Sequence, residues 1–364
     1  MNNEFTSLVE NALDFLEKSI RDLEAGEAKY SVINFYSGLE LFLKARLLKE
    51  HWALCATNVN KMAKESFASG EFESIGLNDA KARLANIVGC GIPEREAGVY
   101  EKLRKRRNQA VHFYHPDDLS SKKRVAVEQL SGWHFLFKRL SQTWKECFDP
   151  FLPRLENIHR KISTREEYFP AIFAELKGDI KKQTKQRLLS ICDFCGQPSA
   201  VTKGELIKSV HRLDCLVCST ETFGVFIPCR KCGKLAPRSF DNTTTCQWCG
   251  QSHQANVEES FRWACEVFPG AEPIAWCGEC GYTTKQSVIR VGSASLCLAC
   301  YWLEERAGIG NCQWCGDTVT GELGTCHSPG CARCHYHLAF GETGDSAPEY
   351  LYSPSERRSR RWAR

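Results

Sequence analysis

The sequence predicts a multidomain protein, with an N-terminal all-α helical bundle followed by an array of small metal-held β-hairpin modules. Two observations carry this expectation. Apolar side chains recur at helical spacing from the start of the chain to about residue 148. Beyond residue 190, cysteines gather into C-x-x-C pairs, with 18 of the 21 lying between 192 and 334; this is a metal-ligand spacing rather than a disulfide framework. A length of 364 residues accommodates two or three domains. The expected boundaries are 1–150 for the bundle, 151–190 for a helical linker, 191–340 for the array and 341–364 for a disordered basic tail.

In the bundle, Phe5, Leu8, Val9, Ala12, Leu13, Leu16, Ile20 and Leu23 form the stripe of a first helix over 4–24, ended by Gly26. A more apolar helix over 31–51 carries Val32, Phe35, Tyr36, Leu39, Phe42, Leu43 and Leu47, with Ser31 as its expected N-cap. Its lone acid, Glu40, reads as a solvated or paired side chain. Residues 58–75 predict a short helix and a loop, and 78–89 a helix stopped by Gly89, Gly91 and Pro93. The next helix starts near Pro93 and runs through Tyr100, Leu103, Arg107, Ala110 and Val111. Pro116 disfavours helix at His115, so this helix is expected to stop just after His112. A long helix over about 122–148 presents Leu130, Trp133, Phe137, Leu140, Trp144 and Phe148. In the linker, Ser163-Thr164-Arg165-Glu166 fits a capping box, and Pro170 either kinks the following helix or marks its start. Residues 181–187 read as an exposed connecting helix, with RNA contact as the alternative.

Chemistry concentrates in Arg107-Asn108-Gln109-Ala110-Val111-His112, at the end of the basic run 102–107. Asn108 and His112 are four apart and share a helix face. Arg107 is five before His112, so a single copy is loose, whereas two copies across a symmetric dimer can surround one phosphate. At a helix C-terminus the dipole favours a cationic ring, which suits a proton donor. Arg107 offers paired donors to a phosphate, and Asn108 can orient either. The bland alternative is a solvated basic face with a capping histidine.

The Arg107-Asn108-x-x-x-His112 pattern, and the helix containing Phe35-Tyr36-Ser37-Gly38-Leu39-Glu40-Leu41-Phe42, resemble the motif and the second core helix of HEPN-domain ribonucleases over roughly residues 1–150. The resemblance implies a metal-independent endoribonuclease that leaves a 2′,3′-cyclic phosphate. It implies His112 as acid or base, Arg107 as stabiliser of the pentavalent phosphate and Asn108 as positioner. It further implies RNA as substrate, a homodimer with both motifs at the interface, and a toxin or antiviral-defence role with a protein trigger or antitoxin partner.

The cysteine pairs combine most simply in sequence order. They give Cys192, Cys195, Cys215 and Cys218; Cys229, Cys232, Cys246 and Cys249; Cys277, Cys280, Cys297 and Cys300; and Cys312, Cys315, Cys331 and Cys334. The expectation is about four structural Zn2+ ions, closed by thiolates and without catalysis, in modules resembling zinc ribbons and treble clefs. The segment from Cys297 reads as the start of a treble-clef helix. Cross-brace pairing stays open, as does a Cys/His set in the last module, where Cys326, His327, His335 and His337 crowd together. Cys265 is left over.

Reduced thiolates, a start unlike a signal peptide and the lack of a long apolar run place the expected protein in the cytoplasm, away from membranes. Residues 191–352 carry 12 Lys and Arg against 17 Asp and Glu, which argues for protein contact by the array over bulk nucleic-acid affinity. The tryptophans Trp248, Trp263, Trp276, Trp302 and Trp314 serve as base-stacking or core residues in this reading. The competing function is a non-enzymatic zinc scaffold that binds protein or nucleic acid, with the bundle for dimerisation.

Overall fold

The computed structural model describes residues 3–61, 63–113, 118–238, 244–253, 257–277, 286–301, 303–304, 308–320 and 334. The chain divides into two compact units, 1–175 and 176–364.

The first unit is helical: α1 (Asn3–Glu24), α2 (Ala28–Glu50), α3 (Lys64–Ser69), α4 (Leu77–Asn86), α5 (Glu94–His112), α6 (Leu119–Lys138), α7 (Lys145–Phe148) and α8 (Leu152–Ser163). Helix α9 (Tyr168–Gln183) spans the division between the units. The apolar stripes fold α1 and α2 into a hairpin whose facing side chains, among them Val9, Leu13, Leu39 and Leu43, are fully buried. Helices α5 and α6 pack on α2, and α8 packs on α1 and α6. Arg154 of α8 anchors that contact, reaching Asp14 at 2.6 Å, Glu17 at 2.7 Å and also Glu10. The segment read as a linker therefore supplies a helix to the helical unit. Gly132 of α6 is a close-approach residue, since a Cβ there would meet Leu103 Cδ1 at 2.5 Å and Phe35 at 3.1 Å. That contact fixes α6 over the turn of α5 that precedes Arg107.

Several local expectations are corrected. Helix α2 begins at Ala28, so Ser31 lies inside it rather than capping it. The Ser31 hydroxyl instead donates to the Ser19 carbonyl at 2.8 Å and accepts from Gln129 Nε2 at 2.8 Å, joining α1, α2 and α6 in a buried polar network. Pro93 precedes α5 as its N-cap residue. Val111 is 46% exposed, on the outer side of α5. The long helix over 122–148 is interrupted by a π-helical turn, Arg139–Thr143, which rotates the apolar face between α6 and α7. Ser163 ends α8, so the capping-box pattern does not start a helix. Pro170 falls in the first turn of α9, where its missing N–H costs nothing.

The second unit carries small antiparallel sheets. Strands β1 (Leu189–Ile191), β2 (Pro198–Ile207), β3 (Val210–Cys215), β4 (Glu221–Pro228) and β5 (Leu235–Arg238) form one five-stranded meander in sequence order. Strands β6 (Thr244–Thr245) and β7 (Ser252–His253) pair, and α10 (Val257–Val267) follows. Strands β8 (Val288–Val291), β9 (Ala294–Cys297) and β10 (Leu303–Glu304) make a second sheet, and β11 (Ile309–Asn311) pairs with β12 (Thr318–Thr320). These are not separate hairpins with minimal filling. Trp263 of α10 is 4% exposed and shares one core with Val210, Val225 and Ile227 of the first sheet and with Ile289 and Leu296 of the second. After Cys300 the chain enters β10, so the treble-clef helix expected there is absent among the described residues. Among the described residues no helix is long and apolar enough to cross a membrane. The tail over 341–364 lies outside them.

Candidate functional site

Helix α5 reaches the candidate site through a run of cations, most of which are already neutralised. Lys102 pairs with Glu175 at 3.2 Å, Arg104 with Glu101 at 2.6 Å, and Arg106 grips Glu128 of α6 through two bonds of 2.9 and 3.0 Å. Arg107 is different. Its Nη1 donates to Asn108 Oδ1 at 3.1 Å, and its guanidinium lies 5.9 Å from the centroid of the Tyr36 ring on α2. Its Nε is buried without a hydrogen-bond partner, and no carboxylate pairs with it among the described residues. An unneutralised cation with an unmet donor is a site that favours an anion.

His112 is the last residue of α5, and the Phe113 N–H closes the helix on the Gln109 carbonyl at 3.0 Å. Asn108, Gln109, His112 and Phe113 line an open cavity of about 330 Å³. The i, i+4 spacing that puts Asn108 and His112 on one face thus brings both to one concavity; Arg107 is bonded to Asn108 but does not itself line it. His115 and Pro116 lie outside the described residues. Its lining is open to solvent at Phe113, which is 88% exposed.

Tyr36, Gln109 and Phe113 are the neighbours the motif did not single out. Burial first, and then the charge of Glu40, push the Tyr36 hydroxyl above its ordinary range, so it stays protonated under Arg107. The only hint in the sequence is a hydroxyl-bearing ring on an otherwise apolar helix face.

The second candidate is the cysteine system. Four groups have Sγ atoms within 4.8 Å of one another: Cys192, Cys195, Cys215 and Cys218; Cys229, Cys232, Cys246 and Cys249; Cys277, Cys297 and Cys300; Cys312, Cys315 and Cys334. The described members of each sequential group therefore lie together. Cys280 and Cys331, expected as fourth members, lie outside the described residues, as do Cys326, His327, His335 and His337. Cys265 is exposed on α10 and belongs to no group among the described residues.

The spacing suits a metal. A tetrahedral ion with metal–sulfur bonds of about 2.3 Å places its sulfurs about 3.8 Å apart. The Sγ pairs Cys192–Cys218 and Cys195–Cys215 are 3.6 Å apart, Cys232–Cys246 and Cys277–Cys300 3.7 Å, and Cys312–Cys334 3.9 Å. The described cysteines are all free of disulfides. The four described glycine knuckles are built alike. In the first, Gly196 N–H donates to the Cys192 carbonyl at 2.8 Å and the Cys192 N–H to the Gln197 carbonyl at 2.9 Å. Gly196, Gly233, Gly250 and Gly316 take the left-handed conformation this turn needs, with φ of 70–77°. Where glycine is missing, Ser219 and Tyr301 take the same conformation, at φ 59° and 57°.

The chain thus joins a helical unit, with an arginine–amide–imidazole cluster at the end of one helix, to a unit of antiparallel strands whose loops gather cysteines into metal-holding groups. No family model matches the sequence, and no curated protein or solved structure matches it.

Proposed function

We propose that the chain is a metal-independent endoribonuclease of the HEPN type, acting as a homodimer with two Arg107–His112 sites facing each other. In this reading the RNA 2′-hydroxyl attacks the adjacent phosphorus as the bond to the 5′-oxygen breaks. The products are a 2′,3′-cyclic phosphate and a 5′-hydroxyl. His112 transfers the proton, Arg107 binds the non-bridging oxygens through paired donors, and Asn108 holds the guanidinium in place. The observation that carries the reading is Asn108 and His112 lining one open cavity beside an arginine that has no carboxylate partner among the described residues.

In the same reading the four cysteine groups hold zinc, which closed thiolate sets favour. Zinc bound there contributes folding free energy rather than chemistry. The array senses or recruits, a protein trigger or antitoxin regulates, and the chain works in a reducing cytoplasm as a toxin or antiviral-defence effector.

The test is cleavage of a defined RNA by the full chain and by His112→Ala and Arg107→Ala. Loss of a positioned proton donor lowers the rate by about 10²- to 10⁴-fold, and the wild-type product carries a cyclic phosphate. Unchanged cleavage by His112→Ala refutes the proposal. A second reading, a non-enzymatic zinc scaffold, rests on the cysteine groups; wild-type protein inert towards RNA would support it.

A further inference from the structure

The acidic balance of the array is not uniform. Residues 252–352 carry 5 Lys and Arg against 12 Asp and Glu, whereas residues 176–251 carry 12 against 6. Part of that positive charge lies on segments that the fold brings together around Trp248. That indole is 42% exposed at the tip of the Cys246–Cys249 knuckle. Its Nε1 donates to the Leu235 carbonyl at 3.2 Å, which pins the ring, and Lys234 Nζ lies 4.7 Å from its centroid. Lys231, on the adjoining Cys229–Cys232 knuckle, is exposed and pairs with no carboxylate among the described residues. The neighbouring residue, Gln247, holds a third segment in place. Its amide donates to the Thr184 and Arg187 carbonyls at 3.3 and 3.1 Å, and its Oε1 accepts from Leu189 N at 2.7 Å. The exposed cations Lys185 and Arg187 are thereby fixed beside the knuckle.

We propose that this surface binds single-stranded nucleic acid, with an unpaired base stacked on Trp248 and phosphates held by Lys185, Arg187, Lys231 and Lys234. An anchored, exposed indole ringed by cations matches an unpaired base joined to phosphates. An acidic protein partner would satisfy the cations but gives the flat ring no counterpart. Trp314 occupies the same C-Q-W-C-G sequence and is 58% exposed, but Asp317 follows it and no Lys or Arg lies within ten residues on its C-terminal side. It serves as the internal control. The surface acts whether or not Arg107–His112 cleaves RNA.

Fluorescence anisotropy of the full chain with labelled 2′-O-methyl RNA and single-stranded DNA tests this. Neither probe has the free 2′-hydroxyl that cleavage needs, so failure here is separable from failure of the ribonuclease reading. Trp248→Ala should weaken binding roughly 5- to 150-fold, while Trp314→Ala leaves it unchanged. With about four phosphates held, log affinity falls against log salt with a slope of about −3, and Lys231→Glu/Lys234→Glu flattens it by about 1.4. Trp248→Phe, which keeps a stacking face, stays within a few-fold of wild type and guards against a folding artefact, as does an unchanged metal content. Absence of binding to both probes, equal affinity for a duplex of the same sequence, or equal affinity of Trp248→Ala and wild type would overturn the proposal.

Discussion

Glu96 and Arg139 lock the first turn of α5 to the π-helical turn after α6, and removing either charge should unfold the helical unit more readily than any surface change. The two side chains are 7% and 6% exposed. Arg139 donates from Nε to Glu96 Oε1 at 2.7 Å and from Nη2 to Oε2 at 2.6 Å. The Tyr100 hydroxyl donates to the same Oε1 at 2.6 Å, and burial, then the charge of Glu96, keep that hydroxyl protonated. The guanidinium also lies 4.9 Å from the Trp144 ring centroid. Glu96→Ala therefore strands a buried cation and a buried phenol. Breaking one side of such a pair costs about 3–5 kcal/mol, or a fall in midpoint of about 6–20 °C for a unit of this size. The double variant Glu96→Leu/Arg139→Met removes both charges and should recover most of that loss, since apolar replacement of a buried pair is often neutral. Urea unfolding followed by far-ultraviolet circular dichroism measures both. A loss below about 1 kcal/mol for Glu96→Ala, or a double variant no better than the single, would refute the account of a desolvated pair.

Three further outcomes are expected. Wild-type protein should release about four zinc ions per chain on thiol modification; Cys192→Ser should lose about one of them, and Cys265→Ser none, as read by metal analysis. Ser219→Gly relieves a left-handed serine on an exposed turn and should stabilise the second unit by about 1 kcal/mol in thermal unfolding. Tyr301→Gly relieves the same conformation but empties a side chain that is 9% exposed and bonded to Ser260, so it should destabilise by about 2–4 kcal/mol. His159 stacks on Phe137 at 4.1 Å and accepts from Trp133 Nε1 at 3.2 Å, and burial lowers its pKa from 6.5 to about 4. The unfolded chain binds this proton first, so the stability it contributes is complete above pH 6.5 and falls as pH drops towards 4. The loss reaches about 3 kcal/mol; denaturant titrations across that range should show it, and His159→Phe should remove that part of the slope.

The helices were legible because burial follows spacing: Phe5, Val9, Leu13 and Leu16 recur on one face and all are buried. Their ends were less so. Ser31 has the chemistry of a cap, but partners on α1 and α6, far away in sequence, claim its hydroxyl. The interruption at Arg139 answers to Glu96, 43 residues earlier, which no local pattern records. The cysteine groups are legible as far as the described residues reach, because ligand spacing is local; glycine marks four of the left-handed turns, whereas Ser219 and Tyr301 take that conformation without one. The shared core around Trp263 was not legible, since a tryptophan suits a core as well as a base-stacking surface, and only packing distinguishes the two.

Charge shows the same limit from the other side. In the run over 102–107 the sequence offers five cations in six positions, and nothing local says which are available. Packing decides: Glu101, Glu128 and Glu175 claim three of them, Lys105 points to solvent, and Arg107 is left facing Tyr36 and an amide. In the array the average charge is negative, yet Gln247 draws a cationic segment against a cationic knuckle and leaves the acidic residues to the part of the chain beyond them. What an anion would meet is set by which charges the fold has already neutralised and which it has brought together. Neither quantity is carried by a net charge or a count of lysines. The same reasoning makes Glu128→Gln informative at the first site. It frees Arg106 one residue from Arg107, adding a competing cation without touching the Asn108–His112 face, so phosphate binding should tighten while cleavage per bound RNA should fall.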